Sequence, residues 1–330
     1  MTEMPDAIVL EGVTKTFGQK VAVADLDLRV PRGGLYGFIG PNGAGKTTTI
    51  RMIMAILFPD SGRLSVLGRE SALAAKDRIG YLPEERGLYK KMKVGAFLEY
   101  IAELKGERRG DLGRRVQTWL ERVGLADVAG KRCEELSKGM QQKVQFLAGV
   151  IHEPELLILD EPFAGLDPVS ARLLRDLVLE QHARGATILF STHVMSQAEQ
   201  ICDHVVMIHN GRKVLDDRIV DLRARFNPRR VVVEPLQPNT DPAPFARIGG
   251  VESVTPENGT FELALAAAAE ATAVMRAALA AAPLARVELS RPTLEDIFIA
   301  TVSGADQADT DAAQLRDALR EPAAGGGDRR

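Results

Sequence analysis

Residues 7–30 alternate apolar and polar positions in the manner of strands, as "AIVLEGVTKTF" and then "VAVADLDLRV", and a turn follows at Pro31-Arg32-Gly33-Gly34. "LYGFIG" is an unbroken apolar run of the buried-strand type. Behind it come a glycine-rich loop and a helix expected from Thr47 to Leu57. Residues 94–150 carry apolar repeats at helical spacing with charged faces between them. "ELLILD" and "ATILFST" read as two more buried strands, and "HVVMIHNGRKVLD" as a hairpin turning at Asn210-Gly211. Strands alternating with helices predict an α/β domain with a largely parallel sheet.

The pattern breaks near Phe226-Asn227-Pro228, and the proline-rich "EPLQPNTDPAP" follows. Between Arg229 and Ser303 the expected order is strand, short helix, hairpin at Asn258-Gly259, helix, strand, helix. That order suits a small α+β domain, with a ferredoxin-like arrangement as a candidate. The expected organisation is therefore a first domain over 1–225, with a helical subdomain over roughly 85–150, and a second over 226–303. The tail, 304–330, has no aromatic residue and is expected to be disordered, with a short helix at Ala312–Leu319.

Composition narrows the class. Among 330 residues the net charge is −3, and the two signs are interspersed, so no basic block offers a nucleic-acid surface. Cys133 and Cys202 lie far apart without metal-type spacing, which argues against a disulfide framework and for a reducing compartment. The start, "MTEMPDAIVLEG", lacks the basic and apolar regions of a signal peptide. The longest apolar candidate, "FELALAAAAEATAVMRAALAAAPLA", is broken by Glu270 and Arg276 and reads as a strand running into an amphipathic helix. If the protein works at a membrane, another subunit is expected to cross it.

The residues with chemical potential begin at "GPNGAGKTT". Gly40, Gly45, Lys46 and Thr47 fit the phosphate-loop pattern G-x-x-x-x-G-K-[ST], after a predicted strand and at the start of a helix, which is the context the motif needs. Gly40, Gly43 and Gly45 let backbone N–H groups turn toward phosphate oxygens, and the helix start adds partial positive charge. Pro41, Asn42, Ala44 and Thr48 complete the nucleotide-binding run. Lys46 is expected to reach the β- and γ-phosphates, and the Thr47 hydroxyl to ligate Mg²⁺. "LLILDEP" places Asp160 and Glu161 at the end of a buried strand, with Asp160 assigned to the metal and Glu161 to general-base work on water.

In order, "GPNGAGKTT", "LSKGMQQKV", "LLILDEP", "GLDP" and "STHV" resemble the ATP-binding subunit of ABC transporters, over roughly residues 7–220. The resemblance implies a P-loop ABC-type ATPase fold and a head-to-tail dimer, homo- or heteromeric, with two ATP molecules at its interface. It also implies permease subunits in the membrane and a place on its cytoplasmic face. The family's middle motif is usually Leu-Ser-Gly-Gly-Gln; Leu136, Ser137 and Gly139 match it, and Lys138 and Met140 depart. Ser137 and Gly139 would then cap the γ-phosphate of ATP held by the partner's phosphate loop.

Phe17 resembles the aromatic that stacks on adenine, with a plain core position as the alternative. Asp167 resembles the loop that couples the two sites, or is a simple Asp-Pro turn. His193 resembles the switch histidine that contacts γ-phosphate and attacking water. Glu84 stands where the family commonly has a Mg²⁺-linked glutamine; Glu85, or two solvated glutamates in a loop, are the alternatives. "YLPEERGLYKKM" with "LSKGMQQKV", and the C-terminal "RPTLEDIF", together resemble a subgroup of export-type ATPases with an added C-terminal domain, similar to sodium- or drug-export ATPases. Two other classes stay in view: an ABC ATPase without a transport role, and a P-loop small-molecule kinase, which would need neither "LSKGMQQKV" nor "STHV".

Overall fold

The computed structural model describes residues 6–85, 87–107, 110–226, 229–290 and 292–303. The expected tail helix at 312–319 and two residues of the expected domain break, Asn227 and Pro228, lie outside the described residues. The chain forms two compact units, one of residues 1–219 with 298–330 and one of residues 220–297.

In the first unit, β1 (Ile8–Phe17), β2 (Lys20–Val30) and β4 (Ser61–Val66) make an antiparallel sheet in the order β2-β1-β4. The alternation seen in the sequence is the alternation of its faces, with Ile8, Leu10, Val13, Leu26 and Leu28 all buried. The second sheet has the order β5-β6-β7-β3-β8-β9, from β3 (Leu35–Ile39), β5 (Ile79–Leu82), β6 (Leu156–Asp160), β7 (Thr187–Thr192), β8 (His204–His209) and β9 (Arg212–Arg218). Its first five strands run parallel, and β9 turns back antiparallel after Asn210-Gly211. Every residue of β6 and β7 is buried, because a parallel sheet is covered on both faces.

Helix α1 (Lys46–Ile53) lies behind the glycine loop and ends before the expected Leu57. The reason is local: Ala55 takes φ 54°, and the Ile56 and Leu57 amides both bond back to Arg51 O. Ile50 and Ile53 join one core with Phe38, Ile158 and Leu189 of the parallel sheet and Leu10 and Leu28 of the antiparallel one. The helical region holds α2 (Val94–Leu104), α3 (Leu112–Arg122) and α4 (Lys138–Val150). The buried set of α3, Leu112, Val116, Trp119 and Leu120, repeats at helical spacing and gives that helix one apolar stripe. Then come α5 (Pro168–Ala183) and α6 (Met195–Ile201), and α7 (Ile219–Arg225) lies at the unit boundary.

Two connections position the functional region. Gly211, in the β8–β9 turn, accepts from Ala24 N (2.8 Å) and donates to Ala44 O (2.9 Å), joining β2 to the glycine loop. A Cβ at Gly211 would stand 2.8 Å from Ala22 O, so the turn docks this closely only with glycine. The strand register sets Asp160 beside Ser191 and Thr192 beside Ile39, so the loops after β3, β6 and β7 leave one sheet edge at one level.

The second unit contains β10 (Arg230–Pro235), α8 (Ala243–Ala246), β11 (Val251–Glu257), β12 (Thr260–Leu265), α9 (Ala271–Ala281) and β13 (Leu284–Ser290). The four strands are antiparallel throughout, in the order β11-β12-β10-β13. The βαββαβ sequence with this strand order is the ferredoxin-like arrangement. Its core joins Val231, Val233, Phe261 and Leu263 of the sheet to Phe245, Val274 and Ala278 of the helices. The other face carries cross-strand ion pairs, Arg230 with Glu262 and Arg286 with Glu234. The chain then enters α10 (Leu294–Ser303).

Candidate active site

At the carboxyl edge of the parallel sheet lies a cleft of about 480 Å³, in the range of small-molecule sites. It is lined by Phe17, Lys20 and Ala22 at the antiparallel sheet, by Asn42, Gly43, Gly45, Lys46, Thr47 and Thr48, and by Glu84 and Glu161. The first intrahelical bond of α1 is Thr49 N to Gly45 O at 2.9 Å, so the amides ahead of it have no acceptor within the helix. Gly40 and Gly45 take φ 156° and 109°, and a Cβ at either would come within 2.5 Å or less of a carbonyl oxygen, Ile208 O at 2.1 Å and Ala22 O at 2.5 Å. The loop is therefore folded by backbone packing that only glycine permits.

Lys46 is buried and folds back on its own loop: its Nζ donates to Gly40 O (2.7 Å) and Pro41 O (3.1 Å). Burial pulls its pKa below the usual lysine value, against the charges of Glu161, Asp160 and Glu84. A phosphate entering the loop would offer the ammonium charged oxygens in place of two carbonyls.

Asp160 has no exposed surface, and both its carboxylate oxygens are buried without a hydrogen-bond partner, as is Ser191 Oγ beside it. The Ser191 and Thr47 hydroxyls approach closely enough to oppose the shift, but burial dominates and pushes the carboxyl up to about 6, with Glu84 and Glu161 adding to the rise. A buried, unpartnered carboxylate beside a threonine hydroxyl is a donor set suited to a hard cation.

Glu161 departs from the sheet with φ 49°, while its amide still bonds Ser191 O at 2.9 Å. Its side chain is fully engaged. Oε1 accepts from His193 N (2.8 Å) and lies 2.7 Å from His193 Nδ1, and Oε2 accepts from Thr192 Oγ1 (3.0 Å). His193 thus meets Glu161 but does not line the cleft.

Other sequence-predicted residues fall into place differently. Phe17 is 48% exposed, so it is not a core residue. Glu84 lines the cleft, whereas Glu85 pairs at the surface with Arg51 (3.4 Å) and is 87% exposed. Asp167 caps α5, accepting from Val169 N and Ser170 N at 3.0 Å each; the turn reading describes what it does within this chain. Ser137 caps α4 through Met140 N (3.3 Å), is exposed, and with Gly139 lies outside the lining of the chain's own cleft. Lys20, Ala22, Thr192 and Ser191 were not singled out from sequence. Lys20 and Ala22 are reached by the fold of β2 and leave no residue-type signal, whereas Ser191 and Thr192 belong to the motif "STHV", in which only His193 carries an expected role.

The matching family descriptions divide along the same chain. "ABC transporter" matches residues 23–164, and "ATP-binding protein DrrA1-3-like, C-terminal domain" matches 218–302. The uncharacterized ABC transporter ATP-binding protein YhaQ of Bacillus subtilis is 45% identical over 226 residues, 68% of this chain and 76% of the relative. The chain belongs to the ABC transporter ATP-binding proteins. The bacitracin transport ATP-binding protein BcrA of Enterococcus faecalis is 36% identical, over 68% of this chain and 73% of that one. A solved structure, the ATP-binding subunit of an ABC transporter, aligns with TM-score 0.62 and 32% identity over 67% of this chain and 93% of that chain. The ATP-binding subunit is thus an ATPase of P-loop type, and the family's work implies permease partners in the membrane. No helix among the described residues is long and apolar enough to cross a membrane.

Proposed function

We propose that this ATP-binding subunit energises an export-type transporter from the cytoplasmic face of the membrane, closing as a head-to-tail dimer on two ATP molecules. Relatives named for bacitracin transport, linearmycin resistance and Nod factor export support the export assignment. The observation that carries the dimer is the location of Ser137 and Gly139: a serine at a helix start and a glycine with room beside it, both outside the chain's own cleft. A Cβ at Gly139 would make only ordinary contact with Leu166 at 3.6 Å, so nothing among the described residues demands glycine there.

Within each site the roles follow from position. Phe17 stacks on the base, and residues 40–48 bind the phosphates through backbone amides, Lys46 and the Thr48 side of α1. Thr47, Asp160 and Glu84 would hold Mg²⁺, whose contribution is to offset the charge of the phosphate oxygens; a magnesium ion takes its remaining ligands from phosphate and water. Glu161 accepts a proton from the water that attacks the γ-phosphorus, as the bond from that phosphorus to the β,γ-bridging oxygen breaks and ADP keeps that oxygen. His193 orients Glu161 and contacts the γ-phosphate. Asp167 carries the state of one site to the other.

The experiment is complementation in mixed dimers. Lys46→Ala and Ser137→Arg chains should each fail to trap nucleotide alone. In a mixed dimer one site combines the intact Lys46 of one chain with the intact Ser137 of the other, and about one nucleotide per dimer should be trapped. Heterodimers that form but trap nothing would place Ser137 in its own chain's site and end this reading.

A further inference from the structure

Phe17 ends β1 at the mouth of the cleft with nearly half its surface exposed, so core packing does not fix its ring. Strand pairing holds it on one side alone: Phe17 pairs with Lys20 of β2 across the Gly18-Gln19 turn, while the pairing of β1 with β4 ends at Thr14 and Ser61. Against β2 the register of β1 shifts between Val13 and Lys15 and again between Lys15 and Thr16. Against β4 it shifts between Glu11 and Thr14. The strand end that carries the ring thus follows two register shifts on the β2 side and lies past the last paired position on the β4 side.

One carboxylate ties this segment down. Asp60, just before β4, accepts from Lys15 Nζ on Oδ1 (2.7 Å) and from Thr16 N on Oδ2 (2.7 Å), and its own amide donates to Thr14 O (2.8 Å). Three consecutive residues leading into Phe17 are thereby bound to one side chain and its backbone, two of them by charge-assisted bonds. The Lys15 ammonium, seated by Asp60, lies over the Phe17 ring at 5.6 Å from the centroid, within cation–π range. Neither Lys15 nor Asp60 lines the cleft.

We propose that Asp60 and Lys15 are positioning residues for the nucleobase: Asp60 fixes the end of β1, Lys15 occupies one side of the Phe17 ring, and the other side is left to stack on the base. The inference rests on the reading of Phe17 as the base platform. The pair acts only through Phe17, so it bears on the base and not on the phosphates. Asp60 is half-exposed and Lys15 partly buried, and both replacements keep side chains of similar size, so the pair can be broken without losing the fold.

The test measures binding of ATP and of inorganic tripolyphosphate, which has the phosphates but no base, to the full chain by calorimetry with Mg²⁺. Phe17→Ala should weaken ATP by about five- to a hundredfold, the span of base–aromatic stacking, and leave tripolyphosphate unchanged. Lys15→Met and Asp60→Asn should each weaken ATP by about two- to fivefold, with tripolyphosphate again unchanged. In the Phe17→Ala background neither should add to the loss, and Lys15→Arg should restore ATP affinity. If Phe17→Ala changes both ligands alike, the base-platform reading fails and the proposal falls with it. If Phe17→Ala is selective for ATP but Lys15→Met and Asp60→Asn are without effect, or weaken both ligands equally, the positioning role alone is overturned.

Discussion

Oε1 of Glu161 is held twice by His193, from the backbone amide at 2.8 Å and from ring Nδ1 at 2.7 Å. Thr192 Oγ1 occupies the other oxygen at 3.0 Å. A carboxylate so bound is orientated but committed. To take a proton from water it must turn an oxygen into the cleft and give up one of its two side-chain contacts, the His193 ring or the Thr192 hydroxyl, while the His193 amide is held by the backbone.

Glu161→Gln is expected to lower steady-state hydrolysis by about 10²–10⁴-fold, the usual range for loss of a general base, with ATP affinity nearly unchanged. His193→Ala should lower it substantially as well. Because the two act as one unit, the double variant should be no slower than Glu161→Gln alone. Rates that multiply in the double variant would show independent roles.

Gly45 and Gly43 should separate backbone packing from loop conformation. Both take positive φ, 109° and 78°, but a Cβ at Gly45 would meet Ala22 O at 2.5 Å, whereas Gly43 opens onto free space. Gly43→Ala should lose about 1–2 kcal/mol of stability from left-handed strain alone. Gly45→Ala should lose more and also abolish ATP binding, because it pushes β2 away from the phosphate loop. Thermal melts with and without ATP measure both.

His152, buried after α4, gives the stability a pH dependence. Burial, helped by the nearby Lys105 ammonium, pushes its pKa down to about 4 from 6.5. The folded chain keeps it neutral, with Nε2 3.2 Å from Ile79 O, while the unfolded chain protonates it. Its effect is absent above pH 6.5 and removes stability as pH falls from 6.5 toward 4, by about 2 kcal/mol at pH 5. Urea midpoints at pH 7.5 and 5 should converge in His152→Gln relative to the wild type.

Phe298 is fully buried in the first unit, edge-on to His209 at 5.7 Å between ring centres. Phe298→Ala is expected to destabilise by about 3–5 kcal/mol with ATP affinity little changed. A chain cut after residue 225 loses the same ring, so it should bind ATP but melt earlier than the full chain. An unchanged melting temperature in both would show that the first unit is complete without α10.

Much of the framework is legible in the order of apolar and polar residues. Apolar runs at "LYGFI", "LLILD" and "TILFST" are buried parallel strands because a strand covered on both faces must be apolar along its whole length. The phosphate loop was legible because its glycines, lysine and threonine lie together in the chain. The ferredoxin-like candidate was legible from element order, while its strand order emerges only when β10 pairs on both sides. The short strands β4 and β5 left too little periodic signal to be read.

What distant segments do to one another is set by folding. Asn210-Gly211 read simply as a hairpin turn; folding makes Gly211 the link between Ala24 and Ala44, which brings Lys20, Ala22 and Phe17 to the phosphate loop. Glu84 and Glu85 are adjacent acids of one kind, and only the path of the loop after β5 sends one into the cleft and the other to Arg51. Asp60 reaches Lys15 across 45 residues, a separation no local pattern encodes. Local sequence carries backbone propensity and side-chain periodicity. The orientation of a carboxylate or an ammonium depends on strand register and close backbone packing, which exist only once the sheets have formed.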